Sequence, residues 1–398
     1  MEVDGGVRGF AGRFGWFGVR RQVGLLIPLE DVRVLDFSTL LPGPLATLIL
    51  AEAGARVTKI ERPGRGDEIR SYEPKFGESS VNFALLNRGK ESLEVDLKSP
   101  EARERLLPLV EGADILVEQF RPGVMERLGL GYEDVSKINP GIVYCSITGY
   151  GQSGPRSGVA AHDLNYVSEA GLLSIVEGDD GAPVLPPVLL ADIGGGTYPA
   201  VINILLALFV REKTGEGAHL DISMSDNVFP FLYWALGNGT AANEWPKPGG
   251  ELVTGGSPRY NLYRAADGGY VAAAPLEEHF WRNFCDMLGL EDELRDDARD
   301  PEATAAGVAT RIAEHPTEHW REQFREKDVC CSIVRGVREA MQDEHFRARG
   351  LFDREVEDGA AGRTIPALPL PLAPGFLRPE KRLGYPALGE ADGKGEAR

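Results

Sequence analysis

From residue 31 onward, short apolar runs alternate along the chain with longer apolar or amphipathic stretches. VRVLDFS (32–38) has the length and composition of a strand. LLPGPLATLILAEAG (40–54) is long enough for a helix and stops at Gly54. RVTKIERP (56–63) is a second strand ending in a polar loop, and ESLEVDLKS (91–99) alternates as a half-buried strand does. SPEARERLLPLVEGA predicts a helix with Ser99 as N-cap, Pro100 at its first position and Glu101 in its first turn. DILVEQF (114–120), GIVYCSITGY (141–150) and AHLDISMSD (218–226) add three strands. LNYVSEAGLLSI reads as helical, and PAVINILLALFV, starting at Pro199, reads as a core helix. Such alternation predicts an α/β fold, in which a Rossmann-like, mostly parallel sheet carries helices on its faces over residues 28–226.

The pattern then changes. Residues 227–255 are rich in Asn, Trp, Pro and Gly and read as a linker. RYNLYRAADGGYVAAAP (259–275) predicts a β-hairpin turning at Asp267-Gly268. EEHFWRNFCDMLGL is helical, and short helices follow, so residues 256–350 predict a second, smaller α+β domain. Within 351–398, PALPLPLAPGF is extended and about the last twenty residues are polar and expected to be mobile. Residues 1–27 carry Arg, aromatics and scattered Gly without a continuous apolar region or a small-residue cleavage site. They are expected to be a flexible extension and not a signal peptide.

Charge and cysteine usage narrow the function. A net charge of -18 argues against nucleic acid and against an anionic membrane surface as partners, while leaving room for a local basic cluster. The longest apolar run falls short of the roughly 18 residues of a membrane span. Of the four Cys, none forms a CxxC pair, which suits free thiols and a cytoplasmic setting; Cys330 and Cys331 read as packing residues. No GxGxxG follows the first strand, so a dinucleotide cofactor is not expected.

Three constellations can carry chemistry. His162 and Asp163 stand at the start of a predicted helix, where the first N–H groups favour negative charge; the Asp is equally a plain helix cap. LLADIGGG places Asp192 before three glycines and a long apolar helix. A cap needs fewer glycines, and bare backbone admits a ligand closely. Finally, Arg62, Arg65, Arg70, Arg88, Lys90 and Arg121 cluster after predicted strands, where an open α/β sheet binds ligands. Surface solvation or a polyphosphate ligand would both account for them.

Together the segments VRVLDFSTLLPGPLATLILAEAGARVTKIERPGRGD, NRGKESLEVDLKS, HDLNY, LLADIGGG and REKTGEGAHLDISM, in this order, resemble the family III CoA-transferases, the CaiB/BaiF superfamily. Within it HDLNY and LLADIGGG look most like the α-methylacyl-CoA racemase branch. The resemblance implies an acyl-CoA thioester as substrate, no metal or redox cofactor, and an intertwined homodimer. It implies His162 and Asp192 as the acid/base pair and Glu277 as the partner of the His, supplied across the dimer. It places CoA against Arg62, Asn87, Arg88, Lys90 and Arg121, with Tyr166 near the pantetheine or thioester. Arg259, in SPRY, falls near the expected acyl chain and suggests a shorter or carboxylated acyl group. In the alternative, a CoA-transferase, the resemblance places the nucleophile at Asp163.

Racemisation needs one group to take the α-proton and another to return a proton on the opposite face. A His and a carboxylate fill those roles, and oriented N–H donors such as that of Asp163 stabilise the enolate oxygen. A transferase needs only a carboxylate nucleophile.

Overall fold

The computed structural model describes residues 27–178, 180–359 and 361–392. The expected N-terminal extension, apart from Ile27, and residues 393–398 lie outside them.

Six parallel strands form the main sheet: β1 (Arg33–Asp36), β2 (Arg56–Glu61), β3 (Glu91–Glu94), β4 (Ile115–Glu118), β5 (Val143–Thr148) and β6 (Ala218–Ser223). Their order is β3-β2-β1-β4-β5-β6. The order reverses between β1 and β4, which is where open parallel sheets leave a crevice at their carboxyl ends. Central strands β4 and β5 are buried along their whole length, as strands covered on both faces must be. Their side chains alternate between two cores. Ile115, Val117, Val143 and Cys145 pack with α1 (Pro42–Glu52) on one face. Leu116 and Tyr144 pack with Leu106 and Val110 on the other. Every residue of α1 is buried, which explains why its sequence is apolar all round. Gly54, at φ +109, then turns the chain into β2.

Helices α2 (Val81–Asn87), α3 (Ala102–Glu111), α4 (Val124–Arg127) and α5 (Tyr132–Ile138) complete the first half. The predicted Ser99 cap is not formed. Residues 99–101 make a turn closed by the Ala102 N–H on the Ser99 carbonyl at 3.2 Å, and α3 starts without a side-chain cap. After β5 come α6 (Asp163–Glu169) and α7 (Tyr198–Thr214), the latter entered through a π-helical turn, Ala191–Thr197. Together Ala191–Thr214 make a helix of 24 residues, long and apolar enough by length and composition to cross a membrane. The sequence predicted a shorter core helix. In the fold, Ala200, Val201, Ile204 and Ala207 pack inward. Tyr198, Ile202, Leu205, Leu206 and Phe209 form an exposed apolar stripe on the other side.

The expected linker, 227–255, is partly helical: a 3-10 turn, Asp226–Leu232, leads into α8 (Tyr233–Ala242). The smaller unit is a three-stranded antiparallel sheet of β7 (Asn261–Arg264), β8 (Tyr270–Ala273) and β9 (Cys331–Ile333). Against it lies α9 (Glu278–Leu288), which buries Trp281, Phe284, Cys285 and Leu288 at i, i+3, i+4 and i+7. Cys331 is half-buried, but Cys330, expected to pack, is exposed.

The C-terminal segment lies on the large unit. It forms a third sheet from β10 (Glu355–Asp358), β11 (Arg363–Pro366) and β12 (Arg382–Gly384). Arg354 pairs with Glu52 of α1 at 2.6 Å. The tail is ordered well past the point where mobility was expected. Tyr385 packs on Phe76 and Phe83, and Asp392 pairs with Arg105 at 3.0 Å.

Candidate active site

The loop leaving β5 is folded back onto α6. Gly149 lies so close to Tyr166 that a β-carbon there would stand 2.5 Å from the ring. The Tyr166 hydroxyl donates to the Ala161 carbonyl at 2.7 Å, and the Tyr150 ring meets it edge-on at 5.3 Å. These contacts fix the entry to α6. His162 is the N-cap residue, with its side chain exposed. Its backbone N–H donates to Asn165 Oδ1 at 3.0 Å, half of a capping box.

Asp163 follows in the first turn and is 5% exposed. Its Oδ1 accepts the backbone N–H of Asp192 at 2.9 Å. This single bond brings the two sequence motifs together. Asp192 is not a cap in front of the long helix. It lies inside the π-turn, half-buried. Burial and the neighbouring Asp163 carboxylate push its carboxyl up to about 6, while His162 pulls the other way. Burial, then Asp192, raises the Tyr166 phenol to about 12.

Each of the three glycines after Asp192 has a reason. A β-carbon would come within 2.8 Å of the Phe231 ring at Gly194, 2.3 Å of the Met224 carbonyl oxygen at Gly195, and 3.0 Å of the Met224 side chain at Gly196. The bare backbone lets the start of the helix seat against the end of β6. Thr197 locks it there, donating to the Pro42 carbonyl at 2.8 Å.

The cationic residues divide into two groups. Arg62 and Arg65 are exposed and line a cleft of about 840 Å³ at the carboxyl ends of β1, β2, β3 and β4, together with Phe37, Phe120 and Lys98. Arg121 is exposed beside Phe120. Arg88, Lys90 and Asn87, by contrast, correct the sequence reading. The Arg88 guanidinium is buried and bound to Glu52 at 2.6 Å and to two carbonyls. The Lys90 ammonium is buried among Asp36, Thr47, Asn87 and the Pro44 carbonyl. Asn87 accepts from Lys90 and donates to the Phe83 carbonyl at 3.1 Å. All three are committed to internal partners and present no open face to a phosphate. Arg70 is likewise held by Glu61 at 2.6 Å. Lys98, exposed just past β3, was not singled out; its signal was a lone Lys following an alternating strand.

On the small unit, Glu277 is the N-cap residue of α9 and is exposed. Its carboxylate makes no hydrogen bond or ion pair among the described residues, so within one chain it does not hold His162. Glu278 is occupied by Arg259 at 3.0 Å. Arg259 also pairs with Asp297 at 2.7 Å and lies over the Trp281 ring. Its charge is spent inside the small unit, which removes the ground for expecting a carboxylated acyl group.

The family model for CoA-transferase family III matches residues 29–392. The chain belongs to this family. Curated relatives include an acetyl-CoA:oxalate CoA-transferase of Acetobacter aceti, 38% identical over 263 residues, covering 66% of this chain and 67% of that protein. The human alpha-methylacyl-CoA racemase is 34% identical over 355 residues, covering 88% of this chain and 89% of that protein. A crystal structure of a CaiB/BaiF family protein from Brucella suis superposes with a TM-score of 0.78 at 28% identity, covering 92% of this chain and 97% of that one. The family III chain is therefore an enzyme of a family whose members act on acyl-CoA thioesters, and its relatives carry both racemase and CoA-transferase names.

Proposed function

We propose that this family III enzyme is an acyl-CoA racemase, epimerising the carbon α to the thioester by 1,1-proton transfer. The observation that carries this reading is the pairing of an exposed imidazole, His162, with a half-buried carboxyl raised to about 6, Asp192, in electrostatic reach of each other. Such a pair holds one proton in either of two arrangements. When His162 takes the α-proton, the C–H electrons pass into the enolate and Asp192 returns a proton on the other face; the reverse reaction exchanges the roles. The Asp163 N–H, in the first turn of α6, is the donor available to the enolate oxygen. The Asp163 carboxylate stays tied to the Asp192 N–H. Only a proton moves, so the steps call on no metal or redox cofactor. The broad match to the racemase, 88% of the chain, supports the reading.

In this reading the cleft bearing Arg62, Arg65 and Lys98, with Arg121 near its rim, takes the phosphate-bearing end of CoA. We further propose a homodimer in which the exposed stripe of α7 is covered by a second copy and Glu277 of that copy meets His162.

A second reading, CoA transfer, is favoured by a different feature. Asp192 is the accessible carboxylate, while Asp163 is buried with one oxygen occupied. A transferase on this chain would use a carboxylate nucleophile, at Asp163 as the resemblance implies or at the more accessible Asp192: its oxygen attacks the thioester carbonyl, a mixed anhydride forms, the C–S bond breaks, and CoA leaves as thiolate. One experiment separates the readings. The protein is incubated in D₂O with one enantiomer of a 2-methylacyl-CoA and no acceptor acid, and the α-proton is followed by NMR. Deuterium uptake with loss of optical purity is expected. No exchange, with a hydroxylamine-trapped adduct at Asp163 or Asp192 when an acceptor acid is present, would replace the racemase reading by the transferase.

A further inference from the structure

The stretch 385–392 runs along β3, touching Ser92 and Glu94, and reaches Arg70, beyond the loop that carries Arg62 and Arg65. That loop has two glycines in left-handed conformations, Gly64 at φ +72 and Gly66 at φ +63, so its shape depends on what holds it. Two carboxylates do so. The Gly64 N–H donates to Glu94 Oε1, and the Asp67 N–H donates to Glu61 Oε1 at 2.8 Å.

Each of these carboxylates is set by the C-terminal stretch. Glu61 is gripped by Arg70 at 2.9 and 2.6 Å and by the Ser92 hydroxyl at 2.6 Å. Arg70 in turn donates to the Pro386 carbonyl at 3.1 Å, and Ser92 Oγ accepts the Gly389 N–H at 3.1 Å. On the other side, the Glu94 N–H donates to Asp392 Oδ1 at 3.1 Å, and Asp392 also pairs with Arg105. The Ala391 N–H donates to the Ser92 carbonyl at 2.9 Å, adding a main-chain tie to β3. Gly389 sits at φ +70 directly against Glu94; a β-carbon there would lie 2.6 Å from Glu94 Oε2.

We infer that residues 385–392 form a positioning strap, which sets the 62–66 loop through Glu61 and Glu94 and so fixes the two arginines that receive the anionic end of CoA. The inference rests on the proposed role of that cleft. The strap touches neither His162 nor Asp192, so it governs affinity and not the chemical step.

Free CoA, titrated calorimetrically into the full chain, tests it. Gly389→Ala pushes a methyl at Glu94, and Asp392→Ala removes the acceptor of the Glu94 N–H. Each is expected to weaken CoA about 5- to 10-fold, on the scale of one well-made hydrogen bond. KM for the acyl-CoA should rise in step, with kcat within about twofold; the melting temperature should change little in Asp392→Ala and fall modestly in Gly389→Ala, where alanine is strained at φ +70. Asp392→Asn keeps the acceptor and should recover most of the affinity. Glu390→Ala, whose carboxylate among the described residues accepts only from the Ala387 N–H inside the strap, should match the wild type. Unchanged affinity in both Gly389→Ala and Asp392→Ala overturns the inference, as does a joint fall of affinity, kcat and melting temperature. If the wild-type chain itself fails to bind CoA, the reading of the cleft falls, and the strap's role with it.

Discussion

Asp163 Oδ1 accepts the Asp192 N–H at 2.9 Å, so the two carboxylates that a sequence reader would weigh as rivals are neighbours with different work. Asp163 is buried and used as an acceptor; Asp192 keeps a face toward solvent. The Asp163 charge is one of the causes, after burial, that holds the Asp192 carboxyl up at about 6. Asp163→Asn keeps an acceptor for the N–H and removes the charge. A nearby negative charge disfavours ionisation, so its loss lowers the Asp192 value. The acid limb of kcat/KM, expected near pH 6 in the wild type, should move to lower pH in Asp163→Asn. A pH–rate profile of the two proteins checks this; an unmoved limb would show that Asp192 does not set it.

Removing either member of the proton-transfer pair should cost more than removing the tie. His162→Ala and Asp192→Asn are each expected to cut α-proton exchange by roughly 10²-fold or more, the scale of general acid–base loss. Asp163→Ala acts through the fold. It leaves a half-buried N–H without its acceptor, at about 1 kcal/mol, and should lower thermal stability along with activity. Near-wild-type exchange in both His162→Ala and Asp192→Asn, measured by NMR in D₂O, would sink the pair.

What could be read from the sequence follows from what is local. The six strands announce themselves because each is a short apolar or alternating run between helices. The meeting of His162-Asp163 with Asp192 was approachable because both motifs carry unusual local patterns. The fates of Arg88 and Lys90 were not, because their carboxylates lie 36 and 54 residues away, on α1 and β1. A cation after a strand looks alike whether it faces solvent or an internal acid. The helix over Tyr233–Ala242 was hidden by its glycines; Gly239 is needed there because the Trp245 ring packs within 2.4 Å of where its β-carbon would be. The π-turn at Ala191–Thr197 was not legible either, because its irregular winding has no repeating pattern of side chains to announce it.

The two classes of cation make opposite predictions. Arg62→Ala and Arg65→Ala remove exposed charges beside the cleft, so each should raise KM for the acyl-CoA several-fold, more at low salt than at high, with stability unchanged within about 0.5 kcal/mol. Arg88→Met and Lys90→Met each remove one partner of a buried carboxylate, Glu52 or Asp36, which keeps Arg354 or Lys59 beside it, and should cost about 1–3 kcal/mol. Lys59 and Lys90 hold Asp36 well below the usual carboxylate range against the pull of burial. A carboxyl depressed in the folded state adds stability above its unfolded value, near 4, and that stability is lost as the pH falls further. The penalty of Lys90→Met should therefore shrink in acid. Urea melts at pH 7 and at about pH 3, inside the window where the loss occurs, check both the size and the trend.

The exposed stripe of α7 bears on how the site is completed. Ile202, Leu206 and Phe209 lie on one face of a helix whose other face is packed into the core, and apolar surface of that extent marks a contact site. Leu206→Glu sets a charge in the middle of it. If a second copy covers the stripe, sedimentation should shift from dimer toward monomer, while the melting of the chain's own core changes little. Glu277 supplies the matching functional test. Among the described residues its carboxylate makes no hydrogen bond or ion pair, so the proposed contact with His162 requires a second copy. Glu277→Gln is expected to lower kcat about tenfold or more in the dimer, on the scale of a positioning contact to an acid/base group. Mixed dimers settle the origin of the effect. His162→Ala chains mixed with Glu277→Gln chains, each impaired alone, form one site that lacks both groups and one that has both. Activity should reappear on mixing, toward half of the wild-type value per mixed dimer. No recovery on mixing, with dimers shown to have exchanged subunits, would mean that Glu277 does not cross to the other copy.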